Sequence, residues 1–87
     1  RDIQLGTALV DIYAKGGMFA KAQKVLKELP VRNIVSWNAL IAGYSHYGQC
    51  DEALNCFEEM QNEGISPNAV TFTCFLKACG SLYNISF

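Results

Sequence analysis

The chain repeats itself, and that restricts its architecture more than any other property. Ala8-Leu9-Val10-Asp11-Ile12-Tyr13-Ala14-Lys15-Gly16-Gly17 aligns with Ala39-Leu40-Ile41-Ala42-Gly43-Tyr44-Ser45-His46-Tyr47-Gly48 at an offset of 31 residues. The match continues through Ala22 with Ala53, Leu26 with Phe57, Glu28 with Glu59 and Leu29 with Met60. A second alignment runs at offset 35, pairing Ile34-Val35-Ser36-Trp37-Asn38 with Ala69-Val70-Thr71-Phe72-Thr73. Self-similarity at such a period marks stacked units that cannot bury their apolar faces alone. The divisions fall at 3–33 for a 31-residue unit, 34–68 for a 35-residue unit and 69–87 for the opening of a third, with residues 1–2 closing an earlier one.

Each unit reads as two helices. First helices are predicted near 4–15, 35–46 and 70–80, and second helices near 19–28 and 51–62. Gly17 and Gly48 stand where a left-handed residue ends a helix, and Gly64 with Pro67, like Pro30 earlier, shapes the turn to the next unit. At about 100° per residue, each first helix carries two stripes. Trp37, Leu40, Ile41 and Tyr44 form one, as do Leu9, Val10 and Tyr13, and then Phe72, Phe75, Leu76 and Cys79; this stripe is the expected core. The other is semi-polar and recurs in register: Gln4, Thr7, Asp11 and Lys15; Val35, Asn38, Ala42 and His46; Val70, Thr73 and Lys77. Stacking aligns these second stripes into one surface, the natural binding face of a solenoid.

Composition excludes several functions. Seven basic against eight acidic residues leave a net charge of −1, so this is not a cationic nucleic-acid coat. No apolar run approaches the roughly 20 residues of a membrane span. Cys50, Cys56, Cys74 and Cys79 have C-x5-C and C-x4-C spacings rather than that of zinc ligands, and His46 is the lone histidine. No metal site is expected, and the four thiols are expected to stay reduced as small core residues. The acidic pairs Asp51-Glu52 and Glu58-Glu59 fall on second helices and read as solvated surface. No catalytic constellation, cofactor or small-molecule site is expected. The H-x-E and C-x-x-C of a zinc deaminase are both missing from the sequence. The start at Arg1 reads as a piece of something longer.

Leu9 to Gly17, Val35 to Tyr44, Asp51-Glu52-Ala53-Leu54, Phe57-Glu58-Glu59-Met60 and Gly64-Ile65-Ser66-Pro67-Asn68 resemble pentatricopeptide repeats over essentially the whole chain. The sequence of a 31-residue unit, a 35-residue unit and one opening Val70-Thr71-Phe72 with Leu76-Lys77-Ala78-Cys79 resembles the plant subclass of short, ordinary and long repeats. The resemblance implies an all-α, right-handed α-solenoid of stacked antiparallel helix pairs. It implies single-stranded RNA as the partner, with one base per repeat read by the fifth and last residues. Those residues are Thr7 with Asn33, implying adenosine; Asn38 with Asn68, implying a pyrimidine, cytidine over uridine; and Thr73, whose partner lies beyond Phe87. Gln4, Val35 and Val70 are then the base-sandwiching residues, although Gln4 departs from the aliphatic preference. Lys15 is the phosphate contact, with His46 and Ser81 at equivalent places. The resemblance further implies a plant mitochondrion or chloroplast, C-to-U RNA editing and its accessory proteins, with any deaminase in a separate domain.

Two other readings compete. Asn33 and Asn68 could serve only as helix-leading turn residues. The array could be a protein-interaction scaffold of the tetratricopeptide kind, against which stand the 31- and 35-residue spacings, since that family keeps 34. Solenoids need about three repeats, so the chain by itself is expected to be marginal or to associate end to end.

Overall fold

The computed structural model describes residues 2–83, the side chains of 81–83 excepted; the Ser81 side chain therefore lies outside the described residues. Five helices follow in order: α1 (Ile3–Lys15), α2 (Phe19–Glu28), α3 (Ile34–His46), α4 (Cys50–Asn62) and α5 (Ala69–Tyr83). No strand occurs among the described residues.

Local chemistry sets the helix ends. Asp2 Oδ1 accepts from the backbone N–H of Gln4 at 2.9 Å and so starts α1. Asn33 and Ser36 form a reciprocal capping box at the start of α3, and Asn68 and Thr71 form one at the start of α5. α1 and α3 end in the same turn. Gly17 and Gly48 take φ of 77° and 67°, and the next residue, Met18 or Gln49, donates back to Tyr13 or Tyr44 at 2.8 and 2.9 Å.

The row α1–α3–α5 is built from the first helices, with α2 and α4 behind it. α1 packs on α2 and α3, α3 on α4 and α5, and α4 on α5. The expected stripe of α3 is the centre of the core: Trp37, Leu40, Ile41 and Tyr44 are buried together with Val10, Leu26, Leu29 and Met60. Each such burial stabilises the fold by about 1.5–3 kcal/mol. Leu9 and Tyr13 are half-buried. α1 and α3 touch closely, since a Cβ on Gly43 would lie 2.5 Å from Ala14 Cβ and 3.0 Å from its carbonyl oxygen. Arg32 fastens the loop after α2 to the end of α4. Its Nε meets both Glu63 carboxylate oxygens at 2.9 and 3.0 Å, and its Nη1 caps α2 through the Lys27 and Leu29 carbonyls.

Two expectations are corrected. The four thiols are not all reduced: Cys50 at the start of α4 and Cys79 in α5, 4.8 Å apart at Cα, form a disulfide. They lie 29 residues apart on helices of successive units, so no local spacing announces the pairing. Cys56 does behave as a small core residue, and burial pushes its thiol up to about 12, which keeps it protonated. The second correction concerns α5. Phe75 is half-buried against Phe57 in a stacked pair 5.4 Å apart, but Phe72 and Leu76 are 47% and 63% exposed. Their counterparts Trp37 and Ile41 are covered on α3, where α4 and α5 both pack.

Candidate nucleic-acid interface

The semi-polar stripes do line one surface. Between α1 and α3 a groove of about 650 Å³ is lined by Gln4, Thr7, Asp11, Asn33, Val35 and Asn38, among others. It gathers the Thr7 and Asn33 pair with both residues expected to flank its base. Thr7 is half-buried and Asn33 exposed. Asn33 spends its side-chain oxygen on the Ser36 backbone N–H at 3.0 Å, and the Ser36 hydroxyl donates to the Asn33 carbonyl at 2.8 Å. Its side-chain amide N–H groups are not used in that cap, and Asn33 lines the groove.

The second pair is tied more closely. Asn38 Nδ2 donates to Asn68 Oδ1 at 3.1 Å, joining the fifth residue of one unit to its last. Asn68 Oδ1 also accepts from the Thr71 backbone N–H at 3.1 Å. The Thr71 hydroxyl, fully buried, accepts from the Asn68 backbone N–H and donates to Asn38 Oδ1. Val35 and Val70, 61% and 55% exposed, occupy corresponding first-turn positions on α3 and α5. Asparagine as a capping residue is thus real at both places, and it is compatible with a second use, because the cap needs only the amide oxygen. Thr73 is exposed, with its hydroxyl donated to its own helix at the Ala69 carbonyl, 2.8 Å away.

Cations gather further along the same face. Lys15, Ser45, His46, Thr73 and Lys77 line a second groove of about 410 Å³ contributed by α1, α3 and α5. Lys15 is held 3.1 Å from Asp11 in an exposed pair one helical turn long, a contact weak enough to exchange for another anion. Ser45 Oγ is buried there without a hydrogen-bond partner. Sequence reasoning puts Lys77 on the stripe but gives it no role, because the 35-residue alignment pairs His46 with Ser81. The signal is the other offset: Lys15, His46 and Lys77 are spaced 31 and 31 apart. Thr71 escapes sequence reasoning as well, although Asn68-x-x-Thr71 repeats Asn33-x-x-Ser36. Among the described residues no cluster of three metal-ligating side chains occurs, and no helix is long and apolar enough to cross a membrane.

Repeated helix pairs with this amide-lined face define a class of helical-repeat proteins, and comparison with known proteins names it. The pattern of the PPR repeat matches residues 7–34, and that of the PPR repeat family matches residues 32–81. The chain belongs to the pentatricopeptide repeat family. It is similar to pentatricopeptide repeat-containing proteins of Arabidopsis thaliana. One is 44% identical over 78 residues, which is 90% of this chain and 16% of that protein. Another is 48% identical over 77 residues, 88% of this chain and 10% of that protein. A third, whose name carries the word chloroplastic, is 45% identical over 78 residues, 90% of this chain and 11% of its own length. The chain therefore spans only about a tenth to a sixth of these relatives.

Proposed function

We propose that the chain is a sequence-specific single-stranded RNA-binding segment, one base per repeat, with the units at 3–33, 34–68 and 69–87. The observation that carries this is the hydrogen bond between half-buried Asn38 and exposed Asn68, on helices whose first turns carry the exposed valines Val35 and Val70. An apolar β-branched residue on the solvent side of a helix gains nothing in water. Pressed against the face of a base it contributes affinity without choice, which is the role proposed for Val35 and Val70, with Gln4 as the weaker counterpart.

Choice comes from the amides. Asn68 Oδ1 is saturated by two N–H donors, and its NH2 is left to the ligand. Asn38 keeps one N–H and one lone pair. The pair is rich in donors and short of acceptors. Both pyrimidines present two acceptors and one donor on their Watson–Crick edge, so they match it; guanine presents two donors and does not. Thr7 with Asn33 then reads adenosine, giving adenosine followed by a pyrimidine in the 5′ to 3′ direction, and Thr73 begins a third reading. Lys15 and Lys77 serve the phosphates. With one or two such contacts the salt dependence is shallow, and affinity depends on a longer array.

The segment itself is not assigned catalysis. In a whole protein it would choose the site for organellar RNA processing such as C-to-U editing in a plant mitochondrion or chloroplast, with accessory proteins and any deaminase elsewhere. The short, ordinary and long repeat order belongs to the same proposal. The test places the complete chain inside a longer array of the family and compares RNAs differing only at the base facing Asn38 and Asn68, at fixed salt. Pyrimidine preference that shifts with Asn68→Asp is expected. Equal binding of all four bases, unchanged by the substitution, sinks base reading and favours a protein-interaction scaffold.

A further inference from the structure

We infer that Thr71, which touches no base, is the positioning residue that sets the donor and acceptor polarity of the Asn38 and Asn68 pair, and so excludes guanine from this repeat. The inference rests on the base-reading proposal and deepens it. An asparagine amide is nearly symmetric in shape, so its orientation is decided by its partners. Here one partner cannot be reversed: the Thr71 backbone N–H is a donor only, and it holds Asn68 with Oδ1 inward at 3.1 Å. Asn68 Oδ1 then requires a donor from Asn38, which supplies Nδ2 at 3.1 Å. That leaves Asn38 Oδ1 toward Thr71, whose hydroxyl donates to it.

The hydroxyl has a single proton. Asn68 Oδ1, 3.0 Å away, is the other acceptor within its reach. Two N–H groups already fill that oxygen, so the proton belongs on Asn38. The outcome is a fixed inventory. One Asn38 lone pair is consumed inside the protein and one remains for the base, which is enough for the single donor of a pyrimidine edge and too few for the two donors of guanine. Thr71 is fully buried, so water does not substitute for it.

Ser36 is an internal control. It holds the same place one unit earlier and makes the same cap with Asn33, but its hydroxyl proton goes to the Asn33 carbonyl at 2.8 Å. Capping alone therefore does not require a hydroxyl aimed at the fifth residue.

The experiment uses the complete chain inside the longer array and measures binding to four RNAs differing at the base facing Asn38 and Asn68. Thr71→Val keeps the volume and removes both the proton given to Asn38 and the acceptor for the Asn68 backbone N–H; the loss of that acceptor is part of the cap and acts on all four RNAs alike. The ratio of pyrimidine to guanine affinity is expected to narrow by roughly fivefold, while Thr71→Ser keeps it. Ser36→Ala is expected to lower stability and leave base choice in the first unit unchanged. A merely structural role would weaken all four RNAs alike, and that result, with Asn68→Asp still shifting preference, overturns the role of Thr71 and leaves base reading standing. If Asn68→Asp shifts nothing either, both inferences fall together. Should Thr71→Val not fold, Thr71→Ala carries the same test.

Discussion

The two junctions between successive units make the same contacts with different chemistry. At the first, Phe19 at the start of α2 stacks on Tyr44 of α3, rings 4.2 Å apart. The equivalent residues one unit on are Cys50, 31 positions after Phe19, and Cys79, 35 after Tyr44, and there the contact is a disulfide. The semi-polar sides differ too. Asn38, Asn68 and Thr71 form one closed network, whereas the Ser36 hydroxyl turns back to the Asn33 carbonyl and leaves Thr7 outside. A scaffold contact tolerates replacement of its chemistry because only proximity matters there. On the proposed binding face the direction of one hydroxyl proton changes what the surface offers.

Reduction is the largest perturbation and should break one junction alone. The bond closes a loop across 29 residues, for which constraint of the unfolded chain is worth about 3–4 kcal/mol. Reductant, or Cys50→Ser with Cys79→Ser, is expected to lower the unfolding free energy by that amount in a denaturant titration. Amide exchange should rise in α5 well before α1; equal rises in both would show that the junctions are not independent.

Gly43→Ala attacks the other junction. Alanine favours a helix over glycine by about 1 kcal/mol. Here its methyl would fall 2.5 Å from Ala14 Cβ with backbone just behind, and such overpacking costs about 1–3 kcal/mol. A net loss of stability is expected on thermal melting, together with weaker RNA binding at the groove between α1 and α3. A more stable variant would mean that α1 shifts freely.

Thr7→Asn should make the first site resemble the second. The introduced amide would face Asn33, whose own amide oxygen is already held by a backbone N–H. Preference at that base is expected to move from adenosine to pyrimidine by about tenfold, within the range for one bidentate contact. Comparative binding to the four RNAs reads it directly.

The smallest effect is a proton. Arg32 beside Glu63 holds that carboxyl below its ordinary value of 4.5. A carboxylate with a depressed folded pKa adds stability above its unfolded pKa and loses it as the pH falls through the folded one. The chain should therefore lose a component below about 1 kcal/mol as pH drops beneath 4.5. Glu63→Gln should remove that component and flatten the acid limb of a pH melt. The Cys50–Cys79 junction should not respond.

Helix positions are legible in the sequence because they depend on near neighbours. The stripe Trp37, Leu40, Ile41 and Tyr44 and the glycines at 17 and 48 are local signals, and the structure places them as read. The stripe of Gln4, Thr7, Val35, Asn38 and Lys15 is legible for the same reason. What is not legible depends on how units stack. The Cys50–Cys79 bond joins different helices, and the exposure of Phe72 and Leu76 depends on which helices pack beside α5. Lys77 joins Lys15 and His46 in one groove only through the stacking of α1, α3 and α5. Thr71 looks like half of a helix cap, and its link to Asn38, 33 residues away, has no trace in either local pattern.

The contact of Gly43 with Ala14 also acts as a ruler. Helices that meet through such small residues sit near the short end of the usual spacing of about 8–10 Å, and buried small residues recur at the equivalent places, Ser45 and Ala78. In a stack, each step adds to the last. An excess of about 1 Å per step would misplace the tenth site by about 10 Å, far beyond the reach of an asparagine. Length tolerance in such an array is therefore governed where successive first helices meet, by small residues such as Gly43 and Ala14.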